Sequence, residues 1–178
     1  MRKLLAVSFV LLIAALKLQG QTYTISTSSN PTDGGTTSGD GTYNSGASAT
    51  VTATPNSGYS FVNWTESGSP VSSSASYTFP VSANRTLVAN FSQITYTIST
   101  SSSPTAGGST SGGGTYNSGA SATVTATPNS GYSFVNWTEG STEVSSSASY
   151  TFTVSANRTL VANFSQITYT ISTSSSPT

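Results

Sequence analysis

The chain has 178 residues, five basic and five acidic side chains, and no His or Cys. Without cysteine there is no disulfide staple and no thiol chemistry. Beyond Lys17 only Arg85 and Arg158 stand against Asp33, Asp40, Glu66, Glu139 and Glu143, a net charge of −3, so the basic face that nucleic-acid binding needs is missing.

The chain opens MRKLLAVSFVLLIAALKLQGQ. Basic Arg2 and Lys3, an apolar run from Leu4 to Leu16 and a small residue at Gly20 have the layout of a secretory signal peptide over residues 1–20. The apolar run is short for a bilayer span, and no long apolar stretch follows, so the remaining chain is expected to be secreted or surface-exposed with no membrane span.

From Thr22 the sequence repeats itself. TYTISTSSNPT at Thr22 returns as TYTISTSSSPT at Thr95 and begins again at Thr168, so residues 22–94 and 95–167 are two copies and 168–178 opens a third. Repeats bury their apolar faces against one another, which leads us to expect a longer array of which this chain is a part. The copies differ at a few positions, among them Asp33 against Ala106, Asp40 against Gly113, Pro70 against Glu143 and Pro80 against Thr153.

Within a copy the apolar period is two. Tyr23 and Ile25 share one face of a predicted strand; Ala49, Val51 and Ala53 share another, as do Tyr77, Phe79 and Val81, and then Leu87, Ala89 and Phe91. The opposite faces are Ser and Thr, the pattern of half-buried strands. Between the strands lie NPTDGG, SGDG, NSG, PNSG, ESGSP and SAN, which supply the Gly, Pro, Asn and Asp of turns. In GYSFVNWTE, from Gly58 to Glu66, strict alternation puts Tyr59 and Phe61 on one face and Val62 and Trp64 on the other, predicting a central strand covered on both sides. At the junction, SQITYTIST runs from one copy into the next without Gly or Pro, unlike a flexible linker. The expected architecture is therefore β-rich or all-β: small tandem modules arranged as beads in a rod.

The words GASATVTATPNSGYSFVNWTE and NRTLVANF, present in both copies, resemble the divergent internalin-type (InlB-like) B-repeat family of bacterial secreted and cell-surface proteins. Asn63 and Asn136 stand where the family often has Gly before the Trp. The resemblance implies tandem extracellular modules with a compact, β-grasp-like fold, no enzyme activity and no agreed ligand.

A search for chemistry returns little. Beyond the leader there is no His, Cys or Lys to serve as base, nucleophile or crosslinking group. Glu143 has no counterpart in the first copy, which argues against a glycosidase pair. Asp33 and Asp40 give a faint calcium-loop pattern that the second copy lacks, so they read as turn residues. No catalytic, cofactor or metal site is expected. The aromatics are the only candidates for ligand contact: Tyr43, Tyr59 and Trp64, with Tyr116, Tyr132 and Trp137 in the second copy. A core role is favoured for Phe61 and Trp64, because so small a unit has few other large side chains, while Tyr59 can reach water.

These features point to a non-enzymatic spacer or stalk whose partners are the neighbouring repeats of the same chain. Two alternatives stay open: an adhesive module that binds a glycan or a host or cell-surface protein, and a self-assembling matrix or filament subunit whose exposed strand edge pairs with another chain.

Overall fold

In a computed structural model, which describes residues 20–173, the chain forms two compact units that part between Ile94 and Thr95. The expected signal peptide, apart from Gly20, and the last five residues of the third-copy segment lie outside the described residues.

Unit 1 consists of β1 (Thr22–Asn30), β2 (Gly35–Ser38), β3 (Gly41–Asn44), β4 (Ser48–Pro55), β5 (Tyr59–Glu66), β6 (Ser69–Ser72), β7 (Ser76–Pro80) and β8 (Arg85–Gln93). These strands form two sheets, a five-stranded one ordered β3-β1-β8-β5-β6 and a three-stranded one ordered β2-β4-β7. β1 and β8, the first and last strands, run parallel at the centre of the larger sheet, in register from Ile25 opposite Arg85 to Asn30 opposite Asn90. That arrangement matches the sheet of a β-grasp, but the covering layer is the second sheet rather than a helix.

The period-two faces meet between the sheets. Ile25, Trp64, Leu87, Ala89 and Phe91 from the larger sheet pack with Ala49, Val51, Ala53 and Phe79 from the smaller one into a single buried cluster. The alternation that predicts these strands is the burial pattern observed: β4 reads exposed, buried, exposed, buried along Ser48, Ala49, Thr50 and Val51. Two glycines let the layers close. A Cβ on Gly35 would lie 2.5 Å from the Phe91 ring and from the Thr54 carbonyl, and Gly39, at φ +98°, would place one 2.3 Å from the Thr50 carbonyl.

Unit 2 repeats the design. β9 (Thr95–Ser103), β11 (Gly114–Asn117), β13 (Tyr132–Glu139), β14 (Thr142–Ser145) and β16 (Arg158–Gln166) build the five-stranded sheet, and β10 (Gly108–Ser111), β12 (Ser121–Pro128) and β15 (Ser149–Thr153) the three-stranded one. One 3₁₀ turn, Thr105–Gly107, precedes β10. Residues 168–173 repeat the opening words of β1 and β9 but form no strand, and Tyr169 and Ile171 are 86% and 87% exposed. In the two units the matching Tyr and Ile are covered by strands of their own unit.

The two-faced reading of β5 requires correction. Its ladder with β8 shifts between Phe61 and Asn63, leaving Val62 unpaired. This β-bulge advances the alternation by one residue, so Trp64 turns to the same side as Phe61, and Val62 is left 47% exposed. β5 is flanked by β8 and β6, but only one of its faces is apolar.

Candidate functional site

The signature strands β5 and β8 lie side by side and carry the largest side chains inward. Trp64 is fully buried. Its indole N–H donates to the Ala75 carbonyl at 3.2 Å, the same carbonyl that accepts from the Ala53 amide of β4 at 3.0 Å. A side chain from the larger sheet is thereby bonded to the backbone leading into the smaller one. Phe61 fills the adjoining space, its ring centroid 6.1 Å from Trp64 and 5.9 Å from Phe91, the latter edge to face.

One end of the sandwich is closed by charge. Glu66 ends β5 and Arg85 begins β8; the bulge turns Glu66 to the core side, where the alternation of β8 already places Arg85 in phase with Leu87, Ala89 and Phe91. Arg85 donates from Nε to both carboxylate oxygens, at 3.1 and 3.0 Å, and from Nη2 to Oε2 at 2.7 Å. Its Nη1 donates to the Tyr77 hydroxyl at 3.4 Å, and its guanidinium lies 4.3 Å from the Phe79 ring centroid. The Glu66 hydrogen bonds hold the Arg85 pKa above its ordinary value against the opposing effect of partial burial. In unit 2 the geometry recurs with Glu139, Arg158, Tyr150 and Phe152. There burial lowers the Arg158 pKa, and the bonds with Glu139 and Tyr150 outweigh it, so the net direction is again upward.

The residues that the sequence offers as ligand contacts do not converge. Tyr43 lies on β3 at one margin of the sheet, paired with Tyr23 before the start of β8, whereas Tyr59 is paired with Gln93 at the end of β8. Two strands and most of the length of β8 separate them. Tyr43 is partly buried and donates to the Gly39 carbonyl at 2.8 Å, clasping its own turn, and Tyr116 does the same with Gly112. Tyr59 donates to Asp33 at 2.9 Å, and this bond raises its pKa, with desolvation and the Asp33 charge adding to it. In unit 2 Ala106 occupies the sequence position of Asp33, so Tyr132 has no such carboxylate partner, and it is partly buried against the core of unit 2. Trp64 and Trp137 have no exposed surface to offer a ligand.

What the modules present outward is hydroxyl and amide. The outer face of the β2-β4-β7 sheet carries Thr36, Ser38, Thr50, Thr54, Ser76 and Thr78, with Thr50 and Thr78 bonded to each other at 2.8 Å. On the other face, Asn90 donates to Asn63 at 2.9 Å and to Thr65 at 3.1 Å, and Asn30 donates to Asn90 at 3.2 Å. In unit 2 Asn163 donates in the same direction, to Asn136 at 2.9 Å and to Thr138 at 3.1 Å, and Asn136 in turn donates to Glu143 at 2.7 Å. Asn84, which begins an N-x-T triplet, accepts from the Thr24 amide at 2.8 Å. Sequence reasoning missed the Glu66–Arg85 pair and the Asn row. Their members are 19 and 27 residues apart, and only the pairing of β5 with β8 joins them.

Among the described residues no group of three or more His, Cys, Asp or Glu side chains could hold a metal ion, and no helix is long and apolar enough to cross a membrane. Comparisons with curated proteins and with solved structures return no match. The family model of the divergent InlB B-repeat domain matches twice, at residues 25–95 and 98–168. These ranges carry both copies of the buried Trp, the Arg–Glu pair and the β5–β8 ladder, and the chain belongs to the divergent InlB B-repeat family.

Proposed function

We propose that the chain is a non-enzymatic spacer of the extracellular or surface-exposed kind typical of its family, in which each repeat adds a fixed length. The observation that carries this reading is the connection between copies. Only Ile94 separates β8 from β9, and its amide is bonded to the Gly58 carbonyl at 2.8 Å. A connection with no Gly or Pro and no slack leaves little freedom between folded modules. The outward sheet faces support it too, since among the described residues they are mainly hydroxyls and amides, with Glu143 joined to the amide row of unit 2, and present little charge to draw a partner.

Small-angle scattering on chains with two, four and six copies tests the reading. A maximum dimension that grows linearly with copy number is expected. Growth as about the square root of copy number, as for a flexible string, would overturn it.

A further inference from the structure

The two copies differ at a sheet margin. β7 and β15 are the outermost strands of their three-stranded sheets. In unit 2 the Val154 amide donates to Ala120 and the Ala148 carbonyl accepts from Ala126, so residues 148 and 154 face the neighbouring β12. Backbone direction alternates in an antiparallel pair. Ser149, Thr151 and Thr153 therefore aim their N–H and C=O groups away from the sheet, at a side where no strand of the described residues pairs.

In unit 1 the matching margin is blocked twice. Pro80 has no N–H at the position of Thr153, the placement in which proline guards an outer strand. In addition, the Ser74 hydroxyl donates to the outward Ser76 carbonyl at 2.8 Å. Unit 2 lacks both devices: Thr153 supplies the amide, and Ser147 makes no such bond to Ser149. The outward residues of this margin, Ser149, Thr151 and Thr153, are exposed and uncharged, and the one charge lying against β15, Arg158 over Tyr150 and Phe152, is paired with Glu139.

We propose that β15 is an association surface for a second copy of this chain, the two β15 strands pairing antiparallel about a two-fold axis at Thr151. The register follows from the outward groups. Thr151 meets the second copy's Thr151, and Ser149 meets its Thr153, each pair exchanging both backbone bonds. That register also sets Tyr150 opposite the second copy's Phe152, an aromatic cross-strand pair of the kind that stabilises sheets. The strand is self-complementary in direction, length and neutrality, which favours another β15 over an unrelated peptide. The result joins two three-stranded sheets into one whose outer face is continuous in Ser and Thr.

The chain contains no cysteine, so single engineered cysteines report the register cleanly. In a hydrogen-bonded antiparallel pair the Cα atoms lie about 5.5 Å apart, within disulfide reach. Under mild oxidation the full chain carrying Thr151→Cys is expected to give a covalent dimer, while Thr78→Cys, the same position in unit 1, gives only background. Adding Thr153→Pro to Thr151→Cys should return it to background with an unchanged circular dichroism spectrum, since unit 1 folds with Pro80 in that place. In the unmodified chain, amide exchange at Thr151 and Thr153 should slow as concentration rises, and exchange at Thr78 should not. A folded Thr151→Cys chain that stays monomeric, equal crosslinking from Thr78→Cys, a crosslink that survives Thr153→Pro, or protection of these amides only by an added SYTFT peptide would each overturn the proposal.

Discussion

Trp64 shows how much a single side chain holds in so small a module. It fills the centre of the core and its indole bonds the second sheet, so truncation removes both packing and a bond between layers. Trp64→Ala is expected to cost about 3–5 kcal/mol, against a total of about 4–11 kcal/mol for a unit of this size. Thermal melts followed by far-UV circular dichroism check it: unit 1 should melt well below unit 2, splitting the transition, and Trp137→Ala should reverse the order. Tyr59 carries a smaller, pH-dependent contribution. The bond to Asp33 is made by the protonated phenol and raises its pKa above the usual value near 10. The stability it contributes is thus present below the unfolded pKa and is lost as pH rises through the folded one. Asp33→Ala should bring the Tyr59 titration down toward the ordinary tyrosine range, measured by ultraviolet absorbance on a chain with Tyr132→Phe to thin the overlapping signals.

At the level of elements, the strands were legible because half-buried strands write themselves in period two. Ser48 to Thr54 needs no tertiary context to be read: Ala49, Val51 and Ala53 face in and the hydroxyls face out. β5 shows where such reading fails. Strict alternation sends Trp64 to the side opposite Phe61, and nothing local in FVNW marks Val62 as the extra residue. The bulge is decided by β8, whose Phe91, Ala89 and Leu87 must all face the core and so must be opposed in step. The charged closure of the core was illegible for a related reason, since Glu66 and Arg85 become neighbours only once the two signature strands pair. Of the candidate contact residues, Trp64 was already favoured for the core, and the bulge in β5 sets which side of the strand it takes; the place of Tyr43 instead follows from the pairing of β3 with β1 and the bond to its own turn.

For the whole molecule, the distribution of charge has a practical outcome. Beyond Lys17 the only sites for a protease that cuts after Lys or Arg are Arg85 and Arg158, and both begin paired strands and are held in ion pairs with side chains 17% exposed. Cleavage there needs the unit to open. The folded chain should resist trypsin at both arginines and be cut at them once denaturant unfolds it, which limited digestion followed by mass spectrometry would read directly. The parallel pairing of β1 with β8, and of β9 with β16, has a consequence of another sort. Each pair joins the strand by which the chain enters a unit to the strand by which it leaves. Tension along the chain drags the two strands past one another in opposite directions, so the six register positions between Ile25–Arg85 and Asn30–Asn90 are loaded in shear together instead of being peeled apart one at a time. The thread of the fold thus sets the first and last strands of each repeat in the arrangement that opposes extension from its ends.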